Sequence, residues 1–174
     1  MKIVFGADHG GYELKQALVA EFSKTAETVD CGCGGKDSCD YPDFADDACE
    51  ALIEGRADFA ILVCTTGEGM SMSANRFHGV RAALCTDAET ARSTRAHNDA
   101  NALVLGAANV SVEKALEIAH AFVETPFSAG ERHVRRIAKI DRAKRLAECS
   151  ALAEYDPEVH AAVLAQIRQE DTEI

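Results

Sequence analysis

The chain alternates short runs of apolar, often β-branched residues with longer stretches in which apolar positions recur every three or four residues. That alternation marks βαβ units closing a parallel sheet. Lys2–Phe5 reads as the first strand, and a helix follows over about Tyr12–Lys24 with Leu14, Leu18, Val19 and Phe22 on one face. Thr28–Asp30 reads as a short second strand. The glycines of the Cys31–Pro42 stretch break regular structure, and Pro42-Asp43 opens a helix to about Glu54. Phe59–Cys64 is apolar on both faces, as a central parallel strand is, and passes through Thr65–Gly69 into a short helix over Met70–Asn75. Val80–Cys85 and Ala102–Gly106 read as further strands, with helices over Ala88–Arg95 and Val112–Val123. A basic helix is expected over Glu131–Arg145, and Pro157 breaks the chain before a last helix at about Glu158–Gln169. The expected class is therefore α/β, a three-layer sandwich with a parallel sheet of about five strands. Residues 1–145 form the main domain and 146–174 a helical C-terminal extension of it.

Length and charge narrow this picture. The 174 residues suffice for one domain with a proper core, and 47% hydrophobic with 27% charged residues is an ordinary globular composition. The longest apolar run, Phe59–Cys64, is too short to span a bilayer, and no signal-type apolar stretch follows Met1, so a cytoplasmic protein with no membrane partner is expected. The seven cysteines are odd in number and scattered, which favours reduced thiols. A net charge of −11 repels phosphodiester backbones and argues against nucleic acid, yet leaves small anions open, since a site needs only local positive potential.

In open parallel sheets, ligands bind beyond the carboxyl ends of the strands. Polar groups are expected to gather there: Asp8-His9, the Tyr41 loop, Cys64 to Gly69, and His97-Asn98 in a polar turn before the fifth strand. Cys64-Thr65-Thr66-Gly67-Glu68-Gly69 sets a thiol before a glycine-rich helix start, whose N–H groups can hold a phosphate or an oxyanion and favour a thiolate base. The same residues also describe a buried cysteine closing a core strand. Asp8 and His9 can face the crevice, or Asp8 can cap the next helix while His9 is solvated. His97 suits proton transfer and Asn98 can bond a substrate hydroxyl or an enediolate, although any polar turn has this composition. Arg132 and Arg136 share a helix face that suits a phosphate, and a solvated basic stripe is the alternative. The stripe is an exception in an acidic chain, since residues 37–58 carry eight acids against one Arg. Cys31, Cys33 and Cys39 resemble half a zinc site, without a second ligand pair at matched spacing. His78, His120 and His160 suggest no role.

Taken in order, Gly6-Ala7-Asp8-His9-Gly10-Gly11, Asp40-Tyr41-Pro42-Asp43-Phe44-Ala45, Cys64 through Asn75, Gly79-Val80-Arg81-Ala82, His97-Asn98-Asp99-Ala100-Asn101 and Glu131 to Arg136 resemble the type B ribose-5-phosphate isomerases and their sugar-phosphate isomerase relatives. The resemblance spans about residues 1–145. It implies a Rossmann-like sandwich, active as a homodimer or dimer of dimers with sites at the subunit interface, and a metal-free aldose–ketose interconversion without cofactor. By motif position Cys64 is the base, and backbone N–H groups of Thr65, Gly67, Glu68 and Gly69 with Asn98 hold the enediolate. His97 with Thr66 opens the sugar ring, Asp8, His9 and Tyr41 hold hydroxyls, and Arg132 and Arg136 hold the phosphate. The family's usual residue after the cysteine is Gly where this chain has Thr65, and Glu68 is close enough to be a rival base. Another four- to six-carbon sugar phosphate is the alternative substrate. A nucleotide- or metal-binding module is the alternative class, although the first loop is not G-x-G-x-x-G and Asp8 opposes a pyrophosphate.

Overall fold

The computed structural model describes residues 1–140 and 156–170. Five strands, β1 (Lys2–Ala7), β2 (Glu27–Asp30), β3 (Phe59–Cys64), β4 (Ala82–Leu84) and β5 (Ala102–Gly106), form one sheet in the order β2-β1-β3-β5-β4. Every pairing is parallel, with Phe5 beside Ile61 and Cys64 beside Gly106. The chain reverses its direction of travel across the sheet between β1 and β3, the switch point where open α/β sheets take their ligands. The fold class read from the sequence holds.

Alternation along the strands sorts the side chains into two cores. Ile3, Phe5, Ile61, Val63, Leu103 and Leu105 face α1 (Tyr12–Phe22), α4 (Ala88–Asn98) and α5 (Val112–Glu124). Val4, Ala60, Leu62, Cys64 and Val104 face α2 (Tyr41–Ile53) and α3 (Glu68–Ala74). Because β1, β3 and β5 are covered on both faces, they are apolar at consecutive positions rather than at alternate ones.

Two elements differ from the expected bounds. Strand β4 keeps only Ala82–Leu84, on the edge of the sheet. Helix α4 runs three residues past Arg95, to Asn98, and stops where Asp99 turns to φ 46°. No Gly or Pro announces that stop. It is made by side chains from elsewhere: Arg81 bonds the Asp99 carboxylate at 2.9 Å and its carbonyl at 2.9 Å, and Arg95 reaches the other carboxylate oxygen at 2.7 Å.

Contacts divide the chain into two units, Met1–Ser128 and Ala129–Ile174. The sheet belongs wholly to the first. The second contains helical residues 131–140 (α6) and α7 (Pro157–Glu170). Asp156 Oδ1 accepts the N–H groups of Glu158 and Val159, so Pro157 opens the last helix in its first position rather than preceding it. The expected boundary at 145/146 and the end of the basic helix lie outside the described residues. No helix among the described residues is long and apolar enough to cross a membrane.

The loop after β1 crosses β3 at very short range. A Cβ on Gly11 would lie 2.3 Å from the Val63 carbonyl oxygen and 2.6 Å from its carbon, both backbone atoms unable to yield. Gly34 has nothing within 4 Å of the same construction. Gly11→Ala is expected to lower the unfolding free energy by about 3 kcal/mol and Gly34→Ala by under about 0.5 kcal/mol, measured by chemical denaturation.

Candidate active site

Cys64 closes β3 on the face it shares with Ala60 and Leu62, so its thiol points toward α2 and α3 and is buried. The Gly67 N–H donates to Cys64 Sγ at 3.1 Å. That turn needs residue 67 at φ 84°, and a side chain there would also strike Leu84 Cδ1 at 2.4 Å, so glycine alone fits. Helix α3 starts at the next residue, and the Glu68 N–H donates to Thr66 Oγ1 at 3.4 Å. Tyr41, first residue of α2, lays its ring against Gly69, where a Cβ would lie 2.8 Å from Tyr41 Cζ. The structure thus joins Tyr41, Cys64, Thr66, Gly67, Glu68 and Gly69 at the carboxyl edge of the sheet, although they come from two separate sequence motifs.

Asp8 is buried, and its Oδ1 accepts the Gly11 N–H at 3.0 Å, so one carboxylate oxygen holds the turn into α1. His9 Nδ1 accepts the Cys39 backbone N–H at 3.2 Å. An accepting Nδ1 carries no proton, so the hydrogen-bond network assigns the ring proton to Nε2. His9, Gly10, Lys36, Thr65 and Ala107 line a crevice of about 430 Å³ on the α1 and α5 side of the switch point. Thr65 fills the space above Gly10: a Cβ on residue 10 would meet Thr65 Oγ1 at 2.1 Å. Cys64 faces the other side of β3 and is not part of that crevice wall.

His97 and Asn98 lie elsewhere, contrary to the expectation of a carboxyl-edge turn. They occupy the last turn of α4, which runs back toward the strand starts. The Asn101 carbonyl accepts the N–H of Ala60, four residues before Cys64 on β3. Four strand residues span about 13 Å, so within one chain the end of α4 and the Cys64 turn are on opposite edges of the sheet. His97 Nδ1 lies 3.3 Å from Ser93 Oγ, one turn back. A groove of about 610 Å³ runs along α4 beside β4, from Leu84 past Thr90 and Thr94 to Asn98.

Arg132 and Arg136 belong to the second unit, both exposed and one turn apart on α6, with the Arg132 Nε–H donating to His133 Nε2 at 3.3 Å. Sequence reasoning missed the supports of α4. Arg95 is 7% exposed, lies 5.0 Å over the Phe59 ring and 5.8 Å over the Phe122 ring, and ties Asp99 and the Ala100 carbonyl. Asn101 accepts the Arg81 N–H at 2.8 Å and donates to the Gly79 carbonyl at 2.8 Å. Arg81, Asp99 and Asn101 stand in the quoted motifs, but nothing in the sequence says that they meet.

The remaining thiols divide sharply. Burial, with Asp47 and Asp30 adding repulsion, pushes Cys31 up to about 11, and burial with Asp87 pushes Cys85 to about 12, which takes both out as nucleophiles near neutral pH. Cys31, Cys33 and Cys39 do not complete a metal site: among the described residues no group of three or more His, Cys, Asp and Glu could hold an ion.

The Gly10–Thr65 contact gives a direct test. Gly10→Ala is expected to destabilise the fold by about 2 kcal/mol, and Thr65→Gly in the same chain to restore at least half of that, a coupling a double-mutant cycle measures.

Three comparisons bear on this geometry. The ribose/galactose isomerase family model matches residues 3–140. A Rickettsia bellii relative with the provisional name of sugar phosphate isomerase is 45% identical over 140 residues, covering 80% of this chain and 96% of the relative. The ribose-5-phosphate isomerase B of Escherichia coli is 38% identical over 140 residues, 80% of this chain and 93% of that protein. The crystal structure of a ribose 5-phosphate isomerase from Thermotoga maritima superposes with TM-score 0.79 at 45% identity, over 80% of this chain and 97% of that one. The ribose-5-phosphate isomerase B of Clostridium thermocellum gives 0.81 at 43%, over 83% and 97%. The carboxyl-edge cysteine turn, the parallel sheet around it and these matches converge: the chain belongs to the ribose/galactose isomerase family and is a sugar-phosphate isomerase of the type B ribose-5-phosphate isomerase group.

Proposed function

We propose that this enzyme interconverts ribose 5-phosphate and ribulose 5-phosphate through a cis-enediolate, with Cys64 as the base and each site shared between two copies of the chain. The observation that carries this is the Gly67 N–H on Cys64 Sγ at 3.1 Å, inside a turn that Tyr41 covers at Gly69. A sulfur held there accepts that bond more strongly as thiolate than as thiol. The C2 proton of the open aldose passes to Cys64, the electron pair closes the C1–C2 double bond, and the charge develops on O1. Backbone N–H groups of the Thr65–Gly69 turn other than that of Gly67, which stays on the sulfur, and the Asn98 amide meet that charge. Return of the proton from Cys64 to C1, with the C2 hydroxyl proton passing to O1, gives the ketose and restores the base.

Asp8, His9 and Tyr41 hold sugar hydroxyls in this reading, His97 with Thr66 opens the furanose ring, and Arg132 with Arg136 takes the phosphate. The topology supports two copies in this reading: His97 and Asn98 are on the amino edge of the sheet and Cys64 on the carboxyl edge, so a second chain would supply what the first does not reach. The open groove beside edge strand β4, which ends at Asn98, suits such a neighbour. The substrate choice rests on the relatives named as ribose-5-phosphate isomerases. A free thiol as base fits a reducing cytoplasm.

A panel of aldose and ketose phosphates of four to six carbons, assayed with wild type, Cys64→Ala and Glu68→Gln, tests the chemistry. Ribose 5-phosphate is expected to turn over best, with kcat lowered by about 100-fold or more in Cys64→Ala and by less than about fivefold in Glu68→Gln. The reverse order would transfer the base to Glu68, and preference for a six-carbon sugar would overturn the substrate. Sharing is tested by co-folding Cys64→Ala with His97→Asn. Random dimers of two inactive chains are expected to recover about a quarter of wild-type activity, because half are hybrids with one intact site each. No recovery would place both residues in one chain's site.

A further inference from the structure

The segment between β2 and α2 has no regular structure from Cys31 to Asp40, yet it is tied down at its base. Buried Lys15 bonds both Asp30 carboxylate oxygens, at 2.7 and 2.9 Å, and the Cys33 carbonyl at 3.0 Å, while the Cys33 N–H donates to the Ala7 carbonyl at 2.8 Å. From that base the segment reaches over to His9, where the Cys39 N–H meets Nδ1 at 3.2 Å and the Cys39 thiol lies 3.8 Å from the same nitrogen. The Cys33 thiol donates to the Gly35 carbonyl at 3.2 Å, with the Cys39 side chain near enough to act on it. Gly34 and Gly35 between them are unencumbered.

We propose that Cys33 and Cys39 are a modification site, a thiol pair that a peroxide closes into a disulfide, which draws the Cys39 backbone off His9 and reshapes the crevice. The assignment of His9 to substrate rests on the function proposed above; the disulfide itself does not. Cys39 is the half-buried partner, with an imidazole nitrogen beside it, and is the thiol oxidised first. Its sulfur attacks one peroxide oxygen, the O–O bond breaks, and water leaves with the thiol proton, giving a sulfenic acid. The Cys33 sulfur then attacks the Cys39 sulfur, the S–O bond breaks, a second water leaves, and the S–S bond forms. Two thiols lose two electrons and the peroxide gains them. The order is built in: burial holds Cys33 protonated, and charge on Cys39 counts further against its ionisation until Cys39 becomes a neutral sulfenic acid.

Lys36 lies between the two cysteines, so trypsin separates them and only a disulfide keeps the fragments together. The full chain, treated with hydrogen peroxide and digested without reductant, is expected to yield a linked Cys33–Cys39 peptide pair about 2 Da lighter than its reduced parts. Wild-type isomerase activity is expected to fall by about fivefold or more and to return with dithiothreitol, while Cys33→Ser and Cys39→Ser form no link and show no loss that depends on it. Oxidation of Cys64 would persist in those variants and is thereby separated. The ring-nitrogen chemical shifts of His9, followed by NMR, are expected to change on linking whether or not the isomerase reading holds. No linked pair at peroxide levels that oxidise Cys64, or a linked pair with His9 shifts and activity unchanged, would overturn the proposal.

Discussion

A sheet in which every strand runs the same way has two chemically different edges, and this molecule is organised by that constraint. All strand ends, with the turns that follow them, face one side, and all strand starts face the other. The cysteine turn, the Tyr41 ring and the His9 crevice gather on the first edge because β1, β3 and the start of α2 deliver them there. Helix α4 must travel back to start β5, so whatever it carries in its last turn is delivered to the second edge. Within one chain, His97 and Cys64 are therefore held on opposite edges of the sheet.

Much of this was legible in the chain. The doubly covered strands announce themselves as unbroken apolar runs, and β3 ends at Cys64 as Phe59–Cys64 predicts. The cysteine turn was readable as a turn because two glycines follow the apolar strand, one of them at φ 84°, while its residue types alone equally describe a buried cysteine closing a core strand. What the chain did not show are contacts without a local signal. The stop of α4 is written in two arginines, one of them eighteen residues away, rather than in a capping glycine. The pairing of Cys39 with His9 spans thirty residues and depends on a loop with no period to read. The polar turn assumed for His97 and Asn98 fails for the same reason, since helical residues at a C-terminus and turn residues have similar composition.

Buried charge recurs as the device that holds irregular segments in place. Lys15 is 1% exposed and fastens β2 to the segment beyond it through Asp30 and the Cys33 carbonyl. Removing one member of such a pair leaves an uncompensated charge, costing far more than the intact pair contributes over an apolar isostere. The two ion clusters thus act as specific fasteners, one under the His9 crevice and one at the end of α4, while the apolar cores on either face supply the bulk of the cohesion.

Helix α4 joins the core through little more than Ala88 and Ala91, and its other buried residue is Arg95, whose Nε finds no hydrogen-bond partner among the described residues. A helix seated on two methyl groups and one guanidinium depends on the Arg95–Asp99 pair in a way that α5, with Ile118 and Phe122 sunk in the core, does not. The end of the helix that carries His97 and Asn98 thus hangs on one carboxylate rather than on the apolar cores, so charge, not volume, is what sequence drift must keep there.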